Sequence, residues 1–320
     1  MSALDQKLAA ALASREDRGI RRRLPSPSLS LLPPTPGIIT SDVTSDVPSS
    51  AVSTTVTASA ASPSPSVTSS VSISAQPTPP NPSATPPADF SSNDYLSLST
   101  SPLLRTRVLT ALTTSPSILG SGGSRLLVYN QAHAALEARL TKTFRAPAAL
   151  LFNSGFDANA GFFACIPQSG DAILYDAAIH ASVHDGARAS RVAPSFRRPF
   201  AHNDLRALRA ALWMLREECV ALKEGQSSVF VAVESVYSMD GTVAPLRAMV
   251  DAMDEIFPAR NAHLVVDEAH ATGIYGPGGR GMVAQLGLED RVLARLHTFG
   301  KALAASGGAF RPLFTVISVC

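Results

Sequence analysis

The sequence predicts an α/β fold built on a mainly parallel sheet, and three observations carry that expectation. Short apolar runs alternate with stretches of helical periodicity between residues 89 and 310. The runs are continuously apolar instead of alternating, as strands covered on both faces are. Polar residues gather just after the runs, at Asn153-Ser154-Gly155, Asp176, Glu234 to Ser238, Asp267 to His270 and Thr298 to Lys301. In open sheets of this kind, ligands bind beyond the carboxyl ends of the strands.

Taken in order, residues 3–23 read as a helix, with Leu4, Leu8, Ala9 and Leu12 on one face. The composition then changes abruptly. Residues 26–88 are dominated by Ser, Thr, Pro, Ala and Val, with no aromatic residue, no Lys or Arg, and only Asp42 and Asp46 charged. Such a segment has too little bulky apolar surface to offset an ordering cost of ~1–2 kcal/mol per residue, so a disordered insertion is expected. Within the large domain, residues 148–152, 172–175, 228–233, 264–267 and a stretch ending at 297–299 read as strands. Residues 131–145, 179–190, 203–223 and 245–256 carry helical periodicity. The expected organisation is an N-terminal helical arm (1–25), the insertion (26–88), a large domain (89–310) and a tail (311–320).

Composition narrows the function. Hydrophobic residues make up 45% and charged residues 16%, which suits a sizeable core. The net charge is +2 and the only tight basic run is Arg21-Arg22-Arg23, so no nucleic-acid partner is expected. No apolar run approaches the ~18 residues of a membrane span. The acidic residues Asp5, Glu16 and Asp17 argue against a secretory or transit leader, and a cytoplasmic protein is expected. Cys165, Cys219 and Cys320 are scattered without CxxC spacing, so they read as inert reduced thiols and no metal site is expected.

Lysine is scarce, with Lys7, Lys142, Lys223 and Lys301 the only four. The first three read as solvated surface charges. Lys301 follows a strand in His-Thr-Phe-Gly-Lys-Ala-Leu, among small residues that let a backbone come close to a ligand. Its bland reading is a lysine snorkelling at a strand end. In a dry cleft its amine would instead lose basicity and could condense with an aldehyde. Asp267 ends the strand of Val-Val-Asp-Glu-Ala-His and His270 follows one turn later, so both can face one ligand. A buried carboxylate there needs a cationic partner, which a protonated pyridine nitrogen would supply. Asp-Glu-Ala-His is also the box of a helicase-type ATPase, but that reading needs a GxxxxGK[ST] loop, and the glycine clusters at 120–123 and 276–281 are not followed by Lys-Ser or Lys-Thr. Asn153-Ser154-Gly155-Phe156 would open a helix near Asp157, where free N–H groups suit a phosphate. His180 could stack on an aromatic ring or be a structural residue near a helix start, and Glu234 and Ser238 close the set after a central strand.

In order and spacing these residues resemble the α-oxoamine synthase family of pyridoxal-phosphate acyltransferases. The matching stretches are Phe-Ser-Ser-Asn-Asp-Tyr-Leu-Ser-Leu (90–98), Gly-Ser-Gly-Gly-Ser-Arg-Leu-Leu (120–127), Asn-Ser-Gly-Phe-Asp-Ala-Asn (153–159), Ile-His-Ala-Ser (179–182) and Phe-Ala-His-Asn-Asp (200–204), continued by Ser-Met-Asp-Gly (238–241), Val-Asp-Glu-Ala-His-Ala-Thr-Gly (266–273), Gly-Gly-Arg-Gly (278–281) and Thr-Phe-Gly-Lys-Ala (298–302). The resemblance implies an aspartate-aminotransferase-like large domain, of the fold-type-I class, that binds pyridoxal 5'-phosphate. It implies that Lys301 is the Schiff-base lysine, that Asp267 pairs with the pyridine nitrogen and that His180 stacks on the ring. It implies further that His270 and Ser238 meet the ring oxygen, that Gly155, Phe156 and Thr298 hold the phosphate region, and that Arg21 and Asn93 face the substrate. The implied reaction is a decarboxylating condensation of an amino acid with an acyl-CoA in a homodimer. The likeness is greatest to members that join alanine to pimeloyl-CoA in biotin synthesis, with glycine- and serine-using members as alternatives. Beyond Gly307-Gly308-Ala309 the resemblance stops, and the family's small C-terminal domain is expected to be absent. The tail therefore reads as that of a truncated chain without a peroxisomal Ser-Lys-Leu ending, and a non-catalytic fragment that binds cofactor or a full-length subunit is the second reading.

Overall fold

Alternate residues of the apolar runs point to opposite sides of one sheet, and each side is covered by its own helices. The computed structural model describes residues 3–19, 89–116, 118–120, 122–125, 127–128 and 130–312. The expected insertion at 26–88, Arg21 and tail residues 313–320 lie outside the described residues.

Seven strands form the sheet: β1 (Leu150–Phe152), β2 (Ala172–Asp176), β3 (Arg197–Phe200), β4 (Val229–Glu234), β5 (Ala262–Asp267), β6 (Val292–Thr298) and β7 (Gly308–Pro312). Their order is β1-β7-β6-β5-β4-β2-β3, and β7 runs antiparallel to both its neighbours while the β3-β2-β4-β5-β6 pairings are parallel. The helices are α1 (Ala3–Asp17), α2 (Pro102–Thr114), α3 (Gln131–Phe144), α4 (Gly155–Cys165), α5 (Ala181–Ala189), α6 (Leu205–Glu218), α7 (Val220–Lys223), α8 (Leu246–Ile256) and α9 (Met282–Gln285).

On one face, Val229, Val231 and Val233 of β4 and Leu264 and Val266 of β5 pack with α6, α8 and α9. On the other, Phe230, Ala232 and Val265 pack with Leu4 and Leu8 of α1, Phe162 and Phe163 of α4 and Val183 of α5. Period-2 alternation is therefore present, but both sets are apolar because both faces are buried. Leu140 and Phe144 of α3 form a smaller cluster with Ala149, Phe299 and Ala309.

Several elements differ from the sequence expectation. The strand β3, Arg-Arg-Pro-Phe, carries two charges and a proline, which an edge strand tolerates because one side is unpaired. Residues 308–312, where the family resemblance fades, form β7 between β1 and β6. The helical stretch 203–223 breaks at Cys219, whose extended backbone (φ −131°, ψ 105°) separates α6 from α7. Helix α1 ends at Asp17. Lys7 is not a solvated charge: its Nζ donates to Asp171 Oδ1 at 2.5 Å and to Ser227 Oγ at 2.9 Å. Asp171 and Ser227 precede β2 and β4, so α1 docks where the strands begin, leaving their carboxyl ends open.

Candidate functional site

Parallel pairing in near register brings the carboxyl ends of the central strands together. Glu234, the last residue of β4, stands opposite Asp267, the last of β5. Asp267 in turn stands opposite Leu296, two residues before the end of β6 at Thr298. The turn after β6 carries Lys301 back over this edge, and its Nζ lies 2.7 Å from Nε2 of His270. The amine and the Asp267 strand end therefore serve one site.

The His270 ring has a definite polarity. Tyr95 Oη donates to Asn93 Oδ1 at 2.9 Å and lies 2.7 Å from His270 Nδ1. Since the phenol has one proton, it accepts from Nδ1–H, and Nε2 is left to accept from Lys301. Burial, with Lys301 and His180 nearby, pulls His270 down to about 4, so the imidazole is neutral near pH 7. Burial also lowers Lys301 below the ordinary lysine range, while the carboxylates of Asp267 and Glu234 act in the opposite direction.

Asp267 is buried and anchored from two sides. Its Oδ2 accepts from Asn159 Nδ2 at 2.7 Å and its Oδ1 from the Ala269 N–H at 2.9 Å. Asn159 also donates to Ser182 Oγ at 3.0 Å, and Ser182 Oγ lies 2.8 Å from His180 Nδ1. The backbone N–H of Ser182 donates to that same nitrogen at 3.3 Å, which makes Nδ1 an acceptor and puts the ring proton on Nε2. Burial raises Asp267 above the carboxylate range despite the Asn159 and Ala269 donors and the charge on Lys301. A carboxylate in that condition is stabilised by a cation placed beside it, and a pyridinium N–H meets that need. Glu234 is pushed up to about 8, by burial first and by Asp267 second.

The helix N-terminus opposite supplies an anion cradle. Ser154 caps α4 by accepting from the Asp157 N–H at 3.0 Å, leaving the N–H groups of Gly155 and Phe156 without a partner inside the helix. A Cβ on Gly155 would sit 3.1 Å from Thr298 Cβ and 3.2 Å from its Oγ1. Glycine is what lets the Thr298 hydroxyl approach the helix end, so the hydroxyl and the helix N–H groups can face one phosphate. Phe156 meets the His180 ring edge-on at 5.9 Å. The residues present thus fit each part of pyridoxal phosphate: amine, ring-nitrogen partner, ring face and phosphate.

Lys301, His270, Asp267, His180, Gly155, Phe156 and Thr298 therefore converge, and Asn93 joins them through Tyr95. Ser238 stands exposed in the turn after β4 and makes no hydrogen bond among the described residues, so no contact ties it to them. Arg21 lies outside the described residues. Glu268 separates from its neighbours in Asp-Glu-Ala-His, since its buried carboxylate accepts from Ser235 Oγ and from the N–H groups of Met282 and Val283. It is a structural acid that holds the start of α9. Sequence reasoning assigned no role to Asn159, Ser182 or Tyr95. The available signal for Asn159 was an amide beside Ala158, Phe162 and Phe163 on a helix that packs against the sheet.

A family described as aminotransferase class I and II matches residues 85–311. The 8-amino-7-oxononanoate synthase of Emericella nidulans is 52% identical over 222 residues, covering 68% of this chain and 53% of that protein. The aminoacyl transferase sphA of Byssochlamys spectabilis is 45% identical over 221 residues, covering 68% and 47%. Among solved structures, a serine palmitoyltransferase described with its PLP internal aldimine superposes with a TM-score of 0.60 at 30% identity, covering 69% of this chain and 52% of that one. An 8-amino-7-oxononanoate synthase from Francisella tularensis gives 0.55 at 26% identity, covering 72% and 59%. The chain spans about half the length of the curated relatives it matches.

Proposed function

The chain belongs to the aminotransferase class I and II family, on its α-oxoamine synthase branch, and from that premise we propose that it holds pyridoxal phosphate for the decarboxylating condensation of an amino acid with an acyl-CoA. The observation that carries this reading is the half-buried Lys301 amine, lowered in basicity and 2.7 Å from a neutral His270, beside the buried carboxylate of Asp267.

Pyridoxal phosphate, when bound, supplies an aldehyde for an amine and a protonated ring that accepts electrons from the substrate's Cα. The chain's residues divide the remaining work. Lys301, poorly solvated and so available as a free amine, would hold the cofactor at its aldehyde and move the proton at the substrate Cα. Asp267, held by Asn159 and Ala269, keeps the ring-nitrogen proton in place. His180, oriented by Ser182, offers a flat face to the ring. Gly155, Phe156 and Thr298 bind the phosphate, His270 and Ser238 serve the ring oxygen, and Asn93 and Arg21 serve the substrate. Exposed apolar residues around α2, among them Leu103, Leu109 and Leu112, suit a second copy packed against this region, in keeping with a homodimer.

Alanine with pimeloyl-CoA is the finer reading, supported by the oxononanoate synthase of Emericella nidulans at 52% identity. A serine- or other amino-acid-using activity is the second, favoured by the aminoacyl transferase at 45% identity and by the serine palmitoyltransferase fold match. A panel of alanine, serine and glycine against pimeloyl-CoA and palmitoyl-CoA, read by CoA release, separates them. CoA release that is lost in Lys301→Ala supports the proposal. Near-visible cofactor absorption without CoA release from any pair would favour a cofactor-binding, non-catalytic chain.

A further inference from the structure

His202 has no part in the chemistry above, yet both edges of its ring are fixed by acceptors. It lies in the connection between β3 and α6. Its Nδ1 is 2.7 Å from Oδ1 of Asp176, a fully buried carboxylate at the end of β2. Its Nε2 is 3.1 Å from Oδ2 of Asp240 and 2.9 Å from Oγ1 of Thr242, both in the turn after β4. Thr242 donates its own hydroxyl proton to Asp240 Oδ1 at 2.8 Å and accepts from Asn203 Nδ2 at 2.9 Å. The Asn203 amide, 3.4 Å from Nε2, gives one of its two N–H groups to Thr242.

Each oxygen facing the ring therefore asks for a proton from it. A neutral imidazole has one N–H and can satisfy one side; only the imidazolium satisfies both. Other groups around the ring do not change this. Tyr237 meets it edge-on at 4.4 Å, and Asp204 directs its carboxylate to the N–H groups of Arg206 and Ala207. The Asn203 N–H donates to the second oxygen of Asp176 at 2.8 Å, fixing the loop on the sheet side.

We propose that His202 is a positioning residue: as an imidazolium strapped between Asp176 and Asp240, it holds the 238–242 turn, and with it Ser238, against the carboxyl edge of the sheet. The consequence for Ser238 rests on the proposed role of that hydroxyl, whereas the strap itself does not. Burial alone would lower His202, but the hydrogen bond and charge of Asp176 and the charge of Asp240 raise it above the ordinary histidine value of 6.5. Hydrogen bonds from Thr242, with His202 behind them, hold Asp240 below the usual carboxylate range. For a group raised on folding, the stabilisation is complete below 6.5 and disappears as pH rises through the folded value.

The test is an NMR titration of the His202 ring in the full chain, with amide-exchange protection of residues 237–243 followed across the same pH range. The midpoint should lie above 6.5, and protection should fall by about tenfold for each unit of that excess. Asp240→Asn should lower the midpoint, and His202→Gln should loosen the turn at every pH. A midpoint at or below 6.5, or turn protection indifferent to both pH and His202→Gln, overturns the proposal. Should the variants not fold, the wild-type ring titration still decides. The near-visible spectrum of the cofactor-loaded chain isolates the serine role. If Ser238→Ala leaves its pH profile unchanged while His202→Gln loosens the turn, the strap stands and the Ser238 reading fails.

Discussion

Asn159 links the two residues that matter most to the ring, since one amide nitrogen serves both Asp267 and the Ser182–His180 pair. Removing it leaves a buried carboxylate short of a donor, a defect of about 1–3 kcal/mol. Asn159→Ala should lower the denaturant midpoint accordingly and weaken cofactor retention, because Asp267 then rises further and loses its charge more readily. Glu234 allows a pH prediction. Its carboxyl goes from 4.5 in a solvated chain to about 8 when folded, so the folded state binds the extra proton between those values. Its contribution to stability is complete below 4.5 and lost as pH rises through about 8. Glu234→Gln should flatten the fall in melting temperature across that window; an unchanged slope would remove Glu234 as its source. Much of this was legible from residue types: a lone lysine after a strand, an aspartate ending the strand before it, and a histidine one turn on. The Asn159 bridge was not, because a polar residue within an apolar helix gives no indication of which distant side chain it meets.

The strands that carry the site were readable because burial on both faces makes them continuous apolar runs. For two strands that signal fails. The charged edge strand β3, and β7 between β1 and β6, are defined by their pairing partners, not by local composition. The Gly-rich stretch 276–281 was visible as a cluster, but its purpose appears only with Glu268 in view. Gly281 has φ +95°, and a Cβ there would lie 2.6 Å from the Glu268 carboxylate carbon. That carboxylate holds the start of α9 and, through its backbone, the turn bearing His270. Gly281→Ala combines backbone strain with a displaced buried acid, and a loss of at least about 1–3 kcal/mol is expected in chemical denaturation. A variant as stable as wild type would mean that Glu268 can move without consequence.

For the molecule as a whole, β2, β4, β5 and β6 run in one direction and their carboxyl ends form one reactive edge, while α1 closes the other end through Lys7 and Asp171. That polarity, together with four lysines in the entire sequence, makes the central claim simple to examine. The protein is loaded with pyridoxal phosphate, reduced with borohydride so that any lysine–cofactor linkage becomes permanent, and mapped by peptide mass. The account predicts the phosphopyridoxyl mass on Lys301 alone. Label on Lys7, Lys142 or Lys223 in its place, or no label while the chain remains folded, would contradict it.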